Sequence, residues 1–260
     1  MLGPLLLSFA ARSDVGPQRN YNEDAAAVFT PRGLHRGAAA FAGSLPADDG
    51  VVLVVLDGMG GASTGYMACE RAIAGLADEL ACTWPADLDQ RAAWFAEIID
   101  RVSERVKGDD PMLAGQGATV ALAVVVGAVV HLLHAGDVRV YLMRGDRLEQ
   151  RTRDDSLIND GRDLGLSAAE LEQLPRNIIT RALGYGAPQA HVQELRLAPG
   201  DGLLLCSDGL HEALTDAELA APLRGQDPAA ACEALIQRAI AADSSDNITA
   251  LVARLERAGE

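Results

Sequence analysis

The run VVLVVL at 51–56 ends in DGMGG at 57–61. Six uncharged residues, four of them valine, read as a strand buried in a core. A carboxylate at the tip of such a strand has two readings. It is the first residue of a tight turn, accepting backbone N–H bonds, or it is a metal ligand held on a rigid strand end. One Asp-Gly pair does not distinguish them, so the other acidic strand ends in the chain matter.

Strand patterns recur along the 260 residues. LLLSFAARS (5–13) and DAAAVFT (24–30) flank the polar stretch DVGPQRNYNE, and residues 31–50, rich in Gly, Ala and Pro, read mostly as loop. The segments 62–81 and Asp87 to Val106 have helical spacing: Ala68, Ala72 and Leu76 share one face with Tyr66, Ile73 and Leu80 nearby, and Trp94, Ile98 and Val102 share another. Residues 118–135 form an apolar stretch whose central Gly127 and two histidines suit two strands around a turn better than a membrane helix. VRVYLMRGDRLEQRT reads as a hairpin, and such short connections imply antiparallel pairing. Ser167 with Glu170 three residues on is a capping-box start for a short helix that closes before Pro175. Residues 191–198 and 202–207 read as strands, Glu212–Ala220 and Pro228–Ala242 as helices, and 247–255 as the closing strand. Nine or ten strands with two long helices after the third and another near the end predict one α+β domain, sheets inside and helices outside.

Composition excludes several classes. The formal net charge of −15 argues against nucleic acid or an anionic membrane as partner, and 4% aromatic residues leave little for base stacking. The four cysteines, Cys69, Cys82, Cys206 and Cys232, show no CxxC spacing and suit a reducing compartment, with Cys206 a core filler. MLGPLLLSFA has no basic leader and reads as a first strand rather than a signal peptide, so the expected location is cytoplasmic.

Acids stand where apolar structure meets a turn: Glu23 and Asp24 before an early strand, Asp57 after one, Asp137 between two, Asp208 after LLLCS and Asp246 before the last strand. Carboxylates packed together repel and are costly to desolvate. They share a pocket if cations hold them, and an all-oxygen set selects Mg2+ or Mn2+ over zinc. The five histidines, His35, His131, His134, His191 and His211, show no zinc-ligand spacing. GMGG lacks the Lys-Ser/Thr of a phosphate loop, and Ser207 sits in no nucleophile elbow. Spacing alone does not show that the strand ends converge.

The ordered set RNYNED (19–24), DGMGG (57–61), GAT (117–119), GDVR (136–139), TRDDS (152–156), ITRALG (179–184), SDGL (207–210) and DNIT (246–249) resembles the metal-dependent serine/threonine protein phosphatases of the PP2C or PPM type, bacterial branch. The motifs run in family order over nearly the whole chain. The resemblance implies a four-layer α-β-β-α sandwich over residues 1–260, with a small flap insertion at about 157–178 beside the active site. It implies two tightly bound Mn2+ or Mg2+ ions bridged by Asp57, the first also held by Asp208 and Asp246, the second by Glu23 and the Gly58 carbonyl. Asp24 acts through water, Asp137 with Asp208 matches a third, weaker ion, and Arg19 grips the substrate phosphate. The implied reaction is hydrolysis of phosphoserine or phosphothreonine by a metal-activated water, without a covalent enzyme intermediate. The implied partners are phosphorylated proteins, a Ser/Thr kinase and its substrates, with the chain a monomer. Met59 stands where many eukaryotic relatives have a histidine and reads as a packing residue. Val138 replaces a common Ser, and Gln116 departs from the usual motif. Arg139 reads as a salt-bridge partner at a strand start, and Asp154 and Asp155 are candidates for a place near the third ion. A phosphatase fold used only for binding, another hydrolase on the same centre, and a larger sensory phosphatase are the alternatives; a missing ligand would favour the first, and all the core acids are present.

Overall fold

The computed structural model describes residues 3–60, 64–81, 88–107, 115–175, 177–185, 191–225 and 227–258. Gly61, Cys82, Asp87 at the expected start of the second helix, and residue 176 of the expected flap lie outside these. Among the described residues there are twelve strands: β1 (Leu5–Asp14), β2 (Ala25–Thr30), β3 (Gly33–His35), β4 (Ala40–Pro46), β5 (Val51–Met59), β6 (Gly117–Val126), β7 (Val129–Ala135), β8 (Arg139–Arg144), β9 (Arg147–Gln150), β10 (His191–Arg196), β11 (Gly202–Cys206) and β12 (Ile248–Arg257). The helices are α1 (Thr64–Leu80), α2 (Leu88–Lys107), α3 (Leu157–Asp163), α4 (Ala168–Leu171), α5 (Asp208–His211), α6 (Asp216–Leu223) and α7 (Pro228–Ala241). The strands form two six-stranded sheets, ordered β4-β1-β12-β11-β8-β9 and β10-β7-β6-β5-β2-β3. Every pairing within them is antiparallel.

The two-residue period of each strand sorts side chains into three cores. Val51, Leu53 and Val55 of β5 meet Leu7, Phe9 and Ala11 of β1 and Leu203 and Leu205 of β11 between the sheets. The alternate residues Val52, Val54 and Leu56 pack on Ala68, Ala72 and Leu76 of α1 and on Ile98 and Val102 of α2. On the outer face of the other sheet, Leu204, Cys206, Ile248 and Ala250 pack on Leu235 and Ala239 of α7. The result is the four-layer α-β-β-α sandwich of the α+β class. VVLVVL has to be apolar on both faces because one face meets a sheet and the other meets helices. Each such side chain contributes roughly 1.5–3 kcal/mol on burial. Among the described residues, no helix is long and apolar enough to cross a membrane.

Five expectations are corrected. Residues 31–50 hold β3 and β4, not mainly loop; β3 is exposed throughout and β4 mostly so. As sheet edges they carry no apolar alternation to read, and they raise the strand count above nine or ten. β5 runs on through Met59, with Asp57 opposite Thr119 and Gly58 opposite Ala118 of β6, so the acid lies inside the ladder rather than after it. The helix expected over Glu212–Ala220 starts later, as α6 from Asp216, behind a capping box between Thr215 and Glu218, while the short α5 before it ends at His211. The flap has the expected Ser167–Glu170 capping box, but α3, capped by Ser156, precedes it. Tyr66, placed near the buried face of α1, is instead 47% exposed.

Candidate active site

Asp57 continues the face of Val51, Leu53 and Val55 and so stands at one end of the inter-sheet core. Ala25 of β2 pairs with Leu56, and one step further along this register Asp24 comes opposite Asp57. The other sheet brings its acids on the connections at its strand ends. Asp208 follows β11 as the first residue of α5, Asp246 lies just before β12, and Asp137 lies between β7 and β8. Asp57 feels the charges of Asp24, Asp208, Asp137 and Asp246. Burial first, and then these charges, hold the Asp57 carboxyl well above the ordinary carboxylate range. Burial, against hydroxyl bonds from Ser207 and Thr249, pushes Asp24 up to about 7. Burial and then Asp208 push Asp137 up to about 7, and burial and then Asp246 push Asp208 up to about 6. Asp208 Oδ1 is buried without a hydrogen-bond partner among the described residues.

The frame around these acids is built from backbone and small residues. Glu23 Oε1 accepts the Gly65 N–H at 3.1 Å, and the Glu23 N–H donates to Asn247 Oδ1 at 2.8 Å. Asn247 Nδ2 donates to the Val15 and Tyr21 carbonyls, both at 2.8 Å, and so pins the 15–23 segment to the start of β12. The Gly58 and Gly65 backbones touch: a Cβ on Gly65 would lie 2.7 Å from the Gly58 carbonyl and 2.8 Å from Glu23 Oε1. Only glycines allow that approach, and it sets the Gly58 carbonyl beside the Glu23 carboxylate. Ser207 Oγ donates to Asp24 Oδ2 at 2.7 Å and accepts the Thr249 N–H at 3.0 Å. Ser207 is therefore a wholly buried cross-link, not an available nucleophile. Arg19, exposed at the rim, donates from Nη2 to Asp246 Oδ2 at 2.5 Å.

Neighbouring residues fall outside this cluster. Arg139 Nε and Nη2 donate to the two Asp154 oxygens at 2.8 and 2.6 Å, so Arg139 is the salt-bridge partner expected and Asp154 faces it. Asp155 is 3% exposed and bonds Gly136, Arg181 and His191. The Met59 methyl lies against Gly117 as a packing group. His211 Nε2 donates to the Asp137 carbonyl at 3.0 Å, and burial pushes its pKa down to about 4, keeping the ring neutral. The flap root hangs beside Asp137: the Asp155 N–H donates to the Gly136 carbonyl, and the Leu157 N–H to the Ile178 carbonyl, both at 2.9 Å.

The histidine reading is corrected. His134 of β7 and His191 of β10 are cross-strand partners, far apart in sequence but adjacent in the sheet. With Asp155 they form a candidate metal-binding triad whose ligand atoms lie within 4.8 Å of one another. Among the described residues no other three such groups are drawn that close; the acids around Asp57 are coupled but spaced more widely, as like charges are. Sequence reasoning also missed Asn247 and Gly65, whose signal is only that each lies in or just after a motif already noted.

The family model for protein phosphatase 2C matches residues 40–232. The chain is 33% identical to the serine/threonine protein phosphatase PstP of Mycobacterium tuberculosis over 96% of this chain, and spans 45% of that protein's length. It is 31% identical to the protein phosphatase PhpP of Streptococcus pneumoniae, over 95% of this chain and 98% of that one. The solved catalytic domain of PstP in complex with 2 manganese ions superposes with a TM-score of 0.77 at 30% identity, covering 97% of this chain and 99% of that one. The ordered motifs, the paired sheets with their helical flanks and these likenesses agree, and the chain belongs to the protein phosphatase 2C family.

Proposed function

We propose that this chain hydrolyses phosphoserine and phosphothreonine on proteins, with two divalent ions, Mn2+ or Mg2+, held at the end of the sandwich. The observation that carries this is the gathering of Asp57, Asp24, Asp208, Asp137 and Asp246 at one end of the inter-sheet core. The donor set fits hard cations: it is all oxygen, and Asp208 Oδ1 is buried without a partner among the described residues. In this reading Asp57 would help hold both ions, with Asp208 and Asp246 for the first and Glu23 with the Gly58 carbonyl for the second; Asp137 and Asp208 would hold a third, weaker ion. When bound, such ions supply Lewis acidity and a water acidified to near neutral pH.

The chain's own groups then position and neutralise. Asp24, fixed by Ser207, orients solvent next to Asp57. Arg19 leaves Asp246 to take the phosphoryl oxygens of the substrate, for which a planar guanidinium is suited. Ser207 is buried and engaged, so its hydroxyl is not available as a covalent nucleophile. The manganese-bound PstP domain and the phosphatases PstP and PhpP support the assignment by likeness. The proposal extends to residues 1–260 acting as one domain with a flap at 157–178, and to a cytoplasmic monomer that opposes a Ser/Thr kinase. The test is hydrolysis of an aryl phosphate and a phosphothreonine peptide with Mn2+, abolished by EDTA and restored by adding the ion back. Equal turnover in metal-stripped protein would sink the assignment.

A further inference from the structure

The His134 and His191 rings stack with centroids 5.0 Å apart and planes 24° from parallel. Asp155 meets them from the flap root, its Oδ1 3.0 Å from His191 Nε2. The three side chains line a cavity of about 340 Å³. None of them is among the acids whose charge acts most on Asp57.

The donors here differ in kind from those around Asp57. Two imidazoles and one carboxylate suit Zn2+ and its neighbours rather than Mg2+. Tetrahedral bonds of about 2.0–2.1 Å set donor atoms roughly 3.3 Å apart, close to the spacing of His191 Nε2 and Asp155 Oδ1. Both buried members are already oriented. His134 Nε2 lies 2.9 Å from the Arg153 carbonyl; a ring N–H donated there leaves the Nδ1 lone pair for an ion, the usual arrangement of metal-ligating histidines. Burial keeps that ring neutral. Asp155 Oδ2 accepts the Gly136 N–H at 3.0 Å. Arg181 Nη1 shares Asp155 Oδ1 at 2.6 Å, but its side chain is 32% exposed and also reaches Asp160, so it can yield the oxygen to an ion without losing an acidic partner.

We propose that His134, Asp155 and His191 form a zinc-type metal site at the flap root, separate from the all-oxygen cluster. An ion there joins β7 and β10 to the residue before Ser156, the N-cap of α3, and so ties the flap to the sheet. The site is tested on the full chain in excess Mg2+ by titration with Co2+. The expected result is one equivalent bound with the intense visible bands of a low-symmetry, nitrogen-containing site. His191→Ala, at a half-exposed edge-strand position, should abolish the bands and weaken binding roughly tenfold or more, whereas Asp57→Asn should retain them. X-ray absorption on the unmodified, Co2+-loaded protein should show imidazole scattering, a readout that depends on no variant folding. Weak octahedral bands alone, an all-oxygen shell, or full retention of the bands in His191→Ala would each overturn the site.

Discussion

Arg19 Nη2 bonds Asp246 Oδ2, and Arg19 Nε donates to the Ser245 carbonyl at 3.2 Å. An exposed arginine is thereby parked on an acid at the mouth of the cluster. It keeps its charge there and needs only a side-chain rotation to meet a phosphate. Arg19→Ala is expected to raise KM for a phosphothreonine peptide about tenfold, the scale of a hydrogen bond to a charged group, with a smaller fall in kcat. Arg19→Lys should fall between. Steady-state kinetics decides it: an unchanged KM would take Arg19 out of the substrate site.

Asp57→Asn should separate stability from function. Burial and surrounding acids oppose the Asp57 charge, so a neutral amide there relieves repulsion in metal-free protein. In EDTA its melting temperature should rise above that of the unmodified chain. With Mn2+ its kcat/KM should fall about 10²-fold or more, the scale on which single electrostatic groups act in active sites. Asp208→Asn and Asp246→Asn should lose activity similarly, while Asp137→Asn should slow turnover but keep two tight ions by metal counting. Normal kcat/KM in Asp208→Asn would mean that the site is elsewhere.

The same acids set a pH dependence. Asp24 and Asp137 are held at about 7 and Asp208 at about 6, against 3.8 for an ordinary aspartate. A carboxyl raised in the folded state binds more protons there than when unfolded, so protonation favours the fold. That stabilisation is complete below the unfolded value and is lost as pH rises through 6 to 7. In EDTA the melting temperature should therefore fall between about pH 4 and 7, at roughly 2–4 °C per kcal/mol for a chain of this size. Saturating Mn2+ should reverse the slope, because protons compete with the ion for the same oxygens. A melting temperature that rises with pH in EDTA would show that the acids are not mutually repelling.

Much of this is legible in the sequence. The apolar runs of β5, β6, β11 and β12 announce themselves because both faces of each are buried. β3 and β4 do not, because an exposed edge strand has no core face to write into its sequence. The acids stood out by position, yet only the register of β2 against β5 shows that Asp24 and Asp57 share an end. His134 and His191 were invisible as a pair for the same reason: antiparallel pairing, not sequence distance, makes them neighbours.

Gly65 tests whether Glu23 is placed by backbone contact. A methyl group there would meet the Gly58 carbonyl carbon and oxygen at 2.7 Å and Glu23 Oε1 at 2.8 Å. Backbone cannot yield as a side-chain tip can, so Gly65→Ala should cost about 1–3 kcal/mol as overpacking. It should also push the Glu23 carboxylate from its bond to the residue 65 N–H. The expected signature is weaker binding of one Mn2+ ion by calorimetry beyond what lowered stability explains. Intact binding of both ions at a temperature where the variant is folded would separate Glu23 from the metal site.

The flap makes the last prediction. Its two helices pack on each other through Gly161, where a Cβ would sit 3.0 Å from both Leu166 and Leu171 side chains, so the segment has a small core of its own. Its ends are pinched together by the Ser156–Ile179 bridge, and Asp155 hydrogen-bonds the residue before Asp137. An element closed at its base and self-packed can be exchanged without unpicking either sheet. Replacing residues 157–178 with a short Gly/Ser linker should therefore leave aryl phosphate hydrolysis within a few-fold. Activity on a phosphoprotein should fall by about tenfold or more if the flap supplies even one well-made contact to the substrate chain. Comparing kcat/KM on both substrates before and after the exchange separates the two roles. An equal fall on both would mean that the flap supports the acids through Asp155 and Gly136, and that substrate choice lies elsewhere on the rim.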